Sequence, residues 1–165
     1  MSILPIFIPH AGCPHQCVFC NQKTISGQKL AAVAGAKEQL VRWRSWLRPS
    51  AANEAAFYGG SFTGLPLELQ EELLTLTDAL LAEGFIGSVR LSTRPDYIDE
   101  ERLQLLQRHG VRLVELGVQS LDDRVLAAAE RGHTAAQVAP AVALLKRFGF
   151  QVGLQLMVGM PEQSF

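Results

Sequence analysis

Cysteine is scarce in this sequence, with three in 165 residues. Three cannot build a disulfide framework, and an odd count would leave a reactive thiol in an oxidising compartment, so a reduced cytoplasm fits the chain better. Long apolar runs are missing as well. The apolar start, Ile3 to Ile8, is shorter than a membrane span, is interrupted by Pro5 and followed by Pro9, and lacks both a basic leader and a small-residue cleavage site. The expectation is a chain with no export signal and no membrane anchor. A large net charge is also absent: the formal value of -1 gives no global pull toward nucleic acid. The charge is unevenly placed, however, because residues 1–53 carry six Lys/Arg against one Asp/Glu. Such a segment can attract phosphate, although a charge run is more often a solvated helix face. Nor is there a repeat, a low-complexity tract or a linker. What is present is a 48% hydrophobic composition, enough at this length to bury one globular core.

Short apolar runs alternate with helical patterns along the whole chain, the signature of repeated βα units around a parallel sheet. Strands are expected at Ile3–Ile8, Ala55–Tyr58, Ser88–Thr93, Arg112–Val118 and Gln151–Val158. A polar, cysteine-bearing loop runs to about Lys29, and a helix is expected in the Lys37–Leu47 region. Leu69, Leu73, Leu76 and Leu80 fall on one helical face, with Gly84 placed to end that helix. A further helix runs from about Asp99 to His109 and stops at Gly110. Ser120 reads as an N-cap, with Asp123 at N3, for a short helix ending near Gly132. Thr134 and Gln137 form a capping-box pattern for the last helix, Pro140 should kink it, and Phe148-Gly149 closes it. Five βα units allow either a doubly wound open sheet or an arc of a (β/α) barrel. In both layouts the chemistry sits at the carboxyl ends of the strands, where the cysteines, Gly59-Gly60, Ser92 and Gln119-Ser120 fall.

The strongest signal is Cys13-Pro14-His15-Gln16-Cys17-Val18-Phe19-Cys20, three cysteines on one loop directly after a strand. Three thiolates can wrap one face of a cubane iron–sulfur cluster. Electron carriers normally supply four cysteines, so a set of three leaves one iron open to bind something else. The competing reading is a tetrahedral zinc site with His10 or His15 as fourth ligand, and with it a zinc-binding nucleic-acid-binding protein. Gly59-Gly60 lets backbone approach a ligand that any Cβ would push away, yet a plain strand-to-helix turn explains the same pair. Arg131 could likewise be only a helix-end cation.

Together these residues resemble a family. The CxxxCxxC loop, with Phe19 at the aromatic position before the last cysteine, is similar to the signature of the radical S-adenosylmethionine (SAM) superfamily. Gly59-Gly60-Ser61-Phe62 with Leu65-Pro66, Thr93-Arg94-Pro95-Asp96-Tyr97, Glu115-Leu116-Gly117-Val118-Gln119-Ser120 and Arg131-Gly132-His133-Thr134 resemble the elongator complex catalytic subunit. Oxygen-independent coproporphyrinogen oxidases share a looser version, including Gly159-Met160-Pro161.

The resemblance implies an α/β partial (β/α) barrel with five visible units. It also implies a [4Fe–4S] cluster on Cys13, Cys17 and Cys20, and reductive cleavage of SAM to a 5′-deoxyadenosyl radical. Phe19 would lie near the adenine, Gly59 and Gly60 near the methionine amino group, Gln119 near the ribose, and Arg131 against the carboxylate, with Ser61 a further SAM-binding residue. Ser92 stands where both families carry a ribose-binding Glu. No catalytic side chain is assigned beyond the cluster. A reductant such as flavodoxin or ferredoxin is the implied partner. The elongator likeness and the segment around Arg42, Arg44 and Arg48 point to tRNA as substrate class. The elongator subunit spaces its first two cysteines more widely and carries an acetyltransferase domain that this sequence lacks. In the family a sixth strand and a substrate-binding tail follow the Gly-Met-Pro turn, whereas this sequence stops five residues after Met160. Residues 1–165 are therefore expected to be a radical SAM core, incomplete at the C-terminus. A module that binds cluster and SAM without chemistry is the alternative for such a piece.

Overall fold

The computed structural model describes residues 2–8, 13, 15–20 and 32–163. Five strands alternate with helices: β1 (Ile3–Phe7), α1 (Ala32–Trp46), β2 (Glu54–Tyr58), α2 (Leu67–Ala82), β3 (Ser88–Thr93), α3 (Glu100–Arg108), β4 (Val111–Gln119), α4 (Asp123–Ala128), α5 (Val138–Arg147) and β5 (Gln151–Leu156). Every strand pair is parallel, and the spatial order is β1-β2-β3-β4-β5. That order settles the layout left open by the pattern. A doubly wound sheet reverses its strand order at a switch point, and this one never does, so it is an arc of a (β/α) barrel.

Burial agrees with a one-sided sheet. Alternate strand residues such as Leu4, Ile6, Phe57, Val89, Leu91, Val114 and Leu116 share one core with Leu40 of α1, Leu73 and Leu74 of α2, Leu103 and Leu106 of α3 and Leu145 of α5. With side chains alternating across a strand, the other set must face the hollow of the arc. On β2 to β5 it carries most of the polar strand residues: Glu54, Tyr58, Arg90, Ser92, Glu115 and Gln155. Among the described residues β5 is an edge strand, with Leu154 and Leu156 exposed.

Several boundaries differ from the sequence reading. α1 begins at Ala32, ahead of the expected region, and β5 ends at Leu156, before Val158. Asp122, not Ser120, caps α4: its carboxylate accepts from the Arg124 N–H at 2.9 Å. Ser120 instead takes the Asp122 N–H on its hydroxyl at 3.1 Å, an earlier link in the same turn. α4 ends at Ala128, four residues ahead of Gly132, because the backbone turns left-handed at Glu130 and again at Gly132. The Thr134–Gln137 capping box is present, but it opens a 3₁₀ turn over Ala135–Gln137 that passes into α5 at Val138. Pro140 is thus the third residue of α5, in the first turn, where a missing N–H costs little. The expected kink inside a continuous α-helix is replaced by that change of helix type.

Candidate functional site

The cysteine loop leaves β1 at the carboxyl end of the sheet and is held from the far end of the chain. Val18 N–H donates to the Ala129 carbonyl at 3.2 Å, and Cys20 N–H closes a tight turn onto Cys17 O at 2.8 Å. Phe19 packs in a small apolar cluster with Val125, Ala129, Met157 and Met160. His15 lies on Gly132, where a Cβ would stand 2.2 Å from its ring, and φ there is +79°. Only glycine meets both conditions. The segment from Ala129 to Gly132 is therefore a cradle for the loop, which explains why Arg131-Gly132 follows α4 so closely.

All ten residues singled out from the sequence line one cleft of about 290 Å³: Cys13, Cys17, Phe19, Cys20, Gly59, Gly60, Ser61, Ser92, Gln119 and Arg131. Each arrives from a strand end or from the cradle. β2 ends in Tyr58-Gly59-Gly60, with Gly59 at φ +103° and its missing Cβ leaving room for the Ile8 carbonyl, 2.6 Å from where that atom would be. Its glycine is thus required by the packing of β1 against β2. Ser61 is buried, and its hydroxyl shares a hydrogen bond with Thr93 Oγ1 at 3.0 Å. β4 shifts register between Gly117 and Gln119, and Gln119 has φ +69°, which turns its side chain into the cleft. Ser92 pairs in register with Glu115 and accepts from Gln155 Nε2 at 3.4 Å. A carboxylate at position 92 would stand opposite the Glu115 carboxylate, so a small neutral side chain suits this sheet.

Arg131 is 7% exposed and does not act as a cap for α4. Its Nη2 donates to the Gly117 carbonyl at 2.6 Å, its Nη1 faces Cys17 Sγ at 3.7 Å, and its buried Nε has no partner among the described residues. The bland helix-end reading is replaced by a guanidinium that braces β4 and the cysteine loop and retains donors toward the cleft.

Four lining residues carry no site role in the sequence reading, Tyr58, Arg94, Gly117 and Gln155, and His15 enters it only as a candidate zinc ligand. Arg94 had a visible signal, since it stands between the last residue of a strand and a proline. Tyr58 and Gln155 follow from the two-residue period, once the inner face of the sheet is known. Burial and then the Glu115 carboxylate push the Tyr58 phenol above its usual range. Arg90 bridges Glu54 and Glu115 at 3.3 and 3.0 Å, so this floor of the arc is a linked charge network. Burial, helped by Arg131 and Arg94, lowers His133 from 6.5 to about 4, leaving it neutral at pH 7. Burial and Arg94 also lower His15.

No three His, Cys, Asp or Glu side chains among the described residues gather around a point that a single metal ion could occupy. A zinc ion needs its donors on one centre, and of the two candidate fourth ligands His10 lies outside the described residues while His15 rests on Gly132. An iron–sulfur cluster asks for something else, one thiolate for each of several irons. It also gains from N–H groups directed at the sulfurs. Three cysteines on one cleft, with guanidinium N–H groups facing Cys13 and Cys17, fit that demand.

A sequential parallel β/α arc bearing a three-cysteine loop at its carboxyl rim defines a cofactor-binding barrel class. The sequence profile of the Radical SAM superfamily matches residues 7–165, and the chain belongs to that superfamily, whose cofactors are a [4Fe–4S] cluster and SAM. It is 25% identical over 202 residues to the tRNA uridine(34) acetyltransferase of Methanocaldococcus infernus, covering 99% of this chain and 38% of that protein. To Elongator complex protein 3 of Saccharomyces cerevisiae it is 29% identical over 127 residues, covering 66% of this chain and 23% of that one. The chain therefore spans well under half the length of these relatives. In fold it is similar to coproporphyrinogen III oxidase (HemN) of Escherichia coli, a radical SAM enzyme, with TM-score 0.70, 20% identity and coverage of 99% and 38% of the two chains. The methyltransferase TsrM of Kitasatospora setae, solved with cobalamin and a [4Fe–4S] cluster bound, has TM-score 0.65 at 17% identity, with coverage of 98% and 32%. No helix among the described residues is long and apolar enough to cross a membrane.

Proposed function

We propose that this chain is the core of a radical SAM enzyme that binds a [4Fe–4S] cluster through Cys13, Cys17 and Cys20 and acts on tRNA. The observation that carries the reading is the meeting of the cysteine loop, the Gly59-Gly60 turn, Gln119 and Arg131 on one cleft at the strand ends. A cluster held by Cys13, Cys17 and Cys20 would supply an open iron for SAM and the electron for its reductive cleavage. The rest is the work of the chain. Gly59 and Gly60 offer backbone to the methionine amino group, and Ser61 sets their position through Thr93. Arg131 holds the carboxylate with the donors it has left, since a charge-assisted bond inside a buried site is stronger than one in water. Gln119 and Ser92 face the ribose, and Phe19 closes the side toward the adenine and helps exclude water.

The tRNA assignment is supported by the tRNA uridine(34) acetyltransferase relative and by α1. There Arg42 is exposed, Arg48 is exposed just beyond the helix, and Arg44 is paired with Glu83. A flavodoxin or ferredoxin in a reducing cytoplasm is the electron source that goes with this chemistry.

Arg131→Ala is the sharpest test of the SAM assignments. It should weaken SAM binding by roughly 1.5–3 kcal/mol, the range for a hydrogen bond to a charged group, when the two proteins are compared at equal cluster occupancy. Anaerobic equilibrium titration of SAM into both proteins measures it. An unchanged dissociation constant would restrict Arg131 to bracing Gly117 and Cys17.

A further inference from the structure

Arg94 sits at the carboxyl end of β3 with a side chain only 3% exposed. Asp96, two residues on, takes its Nε and Nη2 in a fork, both bonds at 2.9 Å. The remaining nitrogen, Nη1, points across the cleft toward Cys13 Sγ at 4.0 Å. The ring of Tyr97 flanks the guanidinium, 5.8 Å from centroid to Cζ. An arginine fixed on both sides in this way cannot swing to solvent, and at such burial its charge is weakly screened. It is the second cation on the loop, since Arg131 faces Cys17.

We propose that Arg94, clamped by Asp96, is a positioning residue that sets the reduction potential of the cluster through Cys13. The inference rests on the reading of Cys13 as a cluster ligand. Taking up one electron makes the cluster and its thiolates more negative, so a fixed positive charge and an N–H beside one sulfur favour the reduced state. Asp96 opposes this from the far side of the guanidinium. The Arg94–Asp96 pair thus acts as a dipole with its positive end toward the cluster loop. Its orientation gives two substitutions opposite signs.

The experiment is a potentiometric titration of the anaerobically reconstituted chain with dithionite and redox mediators, followed by electron paramagnetic resonance of the reduced cluster. Arg94→Gln should disfavour reduction by about tenfold in equilibrium constant, a downward shift of roughly 59 mV for a one-electron couple. Asp96→Asn keeps the arginine and removes its counter-charge, so its potential should rise, and Arg94→Lys should stay near wild type. Structural damage to the loop would move all variants in one direction. Potentials that move together, or that do not move at full iron occupancy, would overturn the inference. If Arg94→Gln holds no cluster, the upward shift in Asp96→Asn still decides it. A wild-type chain that takes up no cluster is a different result, and sinks the reading of the cysteines themselves.

Discussion

Replacing Cys17 with alanine is expected to abolish cluster binding, taking iron from about four per chain in the reconstituted wild type to background. Cys17 is the most enclosed of the three cysteines, at 4% exposure, and lies at the centre of the loop that Val18, Phe19 and Arg131 hold in place. A cubane gripped by two thiolates on one loop has lost both a ligand and the constraint that shapes the other two. The loss should be specific. Truncating one small buried side chain leaves the β/α core untouched, so circular dichroism and the thermal midpoint should change little. Iron and sulfide assays with the visible charge-transfer band of the reconstituted protein read the outcome. Full iron in Cys17→Ala, or stoichiometric zinc in the wild type, would contradict the assignment.

Gly59→Ala should cost about 2–3 kcal/mol of stability, the range for a residue forced into a sparsely populated backbone region, and lower the midpoint by roughly 5–10 °C. Two separate facts combine there. The backbone has φ +103°, and the new Cβ would stand 2.6 Å from the Ile8 carbonyl, a backbone atom that cannot move aside without disturbing β1. Gly84→Ala is the control, because φ is +67° with nothing within 4 Å of the added atom. Strain alone should cost it about 1 kcal/mol. Equal losses in the two variants, measured by thermal and urea unfolding, would mean that the approach of Ile8 to Gly59 carries no weight. Since Gly59 also lines the cleft, the shifted turn should weaken SAM binding in the same protein.

The strands were readable because their inner and outer residues differ in kind. Ser88–Thr93 matches its expected bounds, and the helix face carrying Leu73 and Leu80 does enter the core. The choice between open sheet and barrel arc came from the family resemblance and not from the hydrophobic pattern, since strand order is a property of pairing between residues 22 to 51 positions apart and leaves no local mark. Ser120 and Asp122 illustrate a shorter ambiguity: both can accept from a helix N-terminus, and the turn between them decides which one does. The cleft residues were legible wherever chemistry demanded an unusual residue type, as with three cysteines or paired glycines. Arg94 carried only a weaker mark, its place between a strand end and a proline. Its importance lies in the fork to Asp96 and the direction of Nη1, which only the folded chain reveals.

The proposed function requires that this cleft hold a cluster and SAM together so that the cluster reduces SAM. The most direct measurement is anaerobic incubation of the reconstituted chain with dithionite and SAM, followed by chromatographic assay for 5′-deoxyadenosine, with Cys17→Ala alongside. The wild-type chain is expected to yield 5′-deoxyadenosine and the variant none above background. A fully iron-loaded wild-type chain that binds SAM and yields no 5′-deoxyadenosine would contradict it.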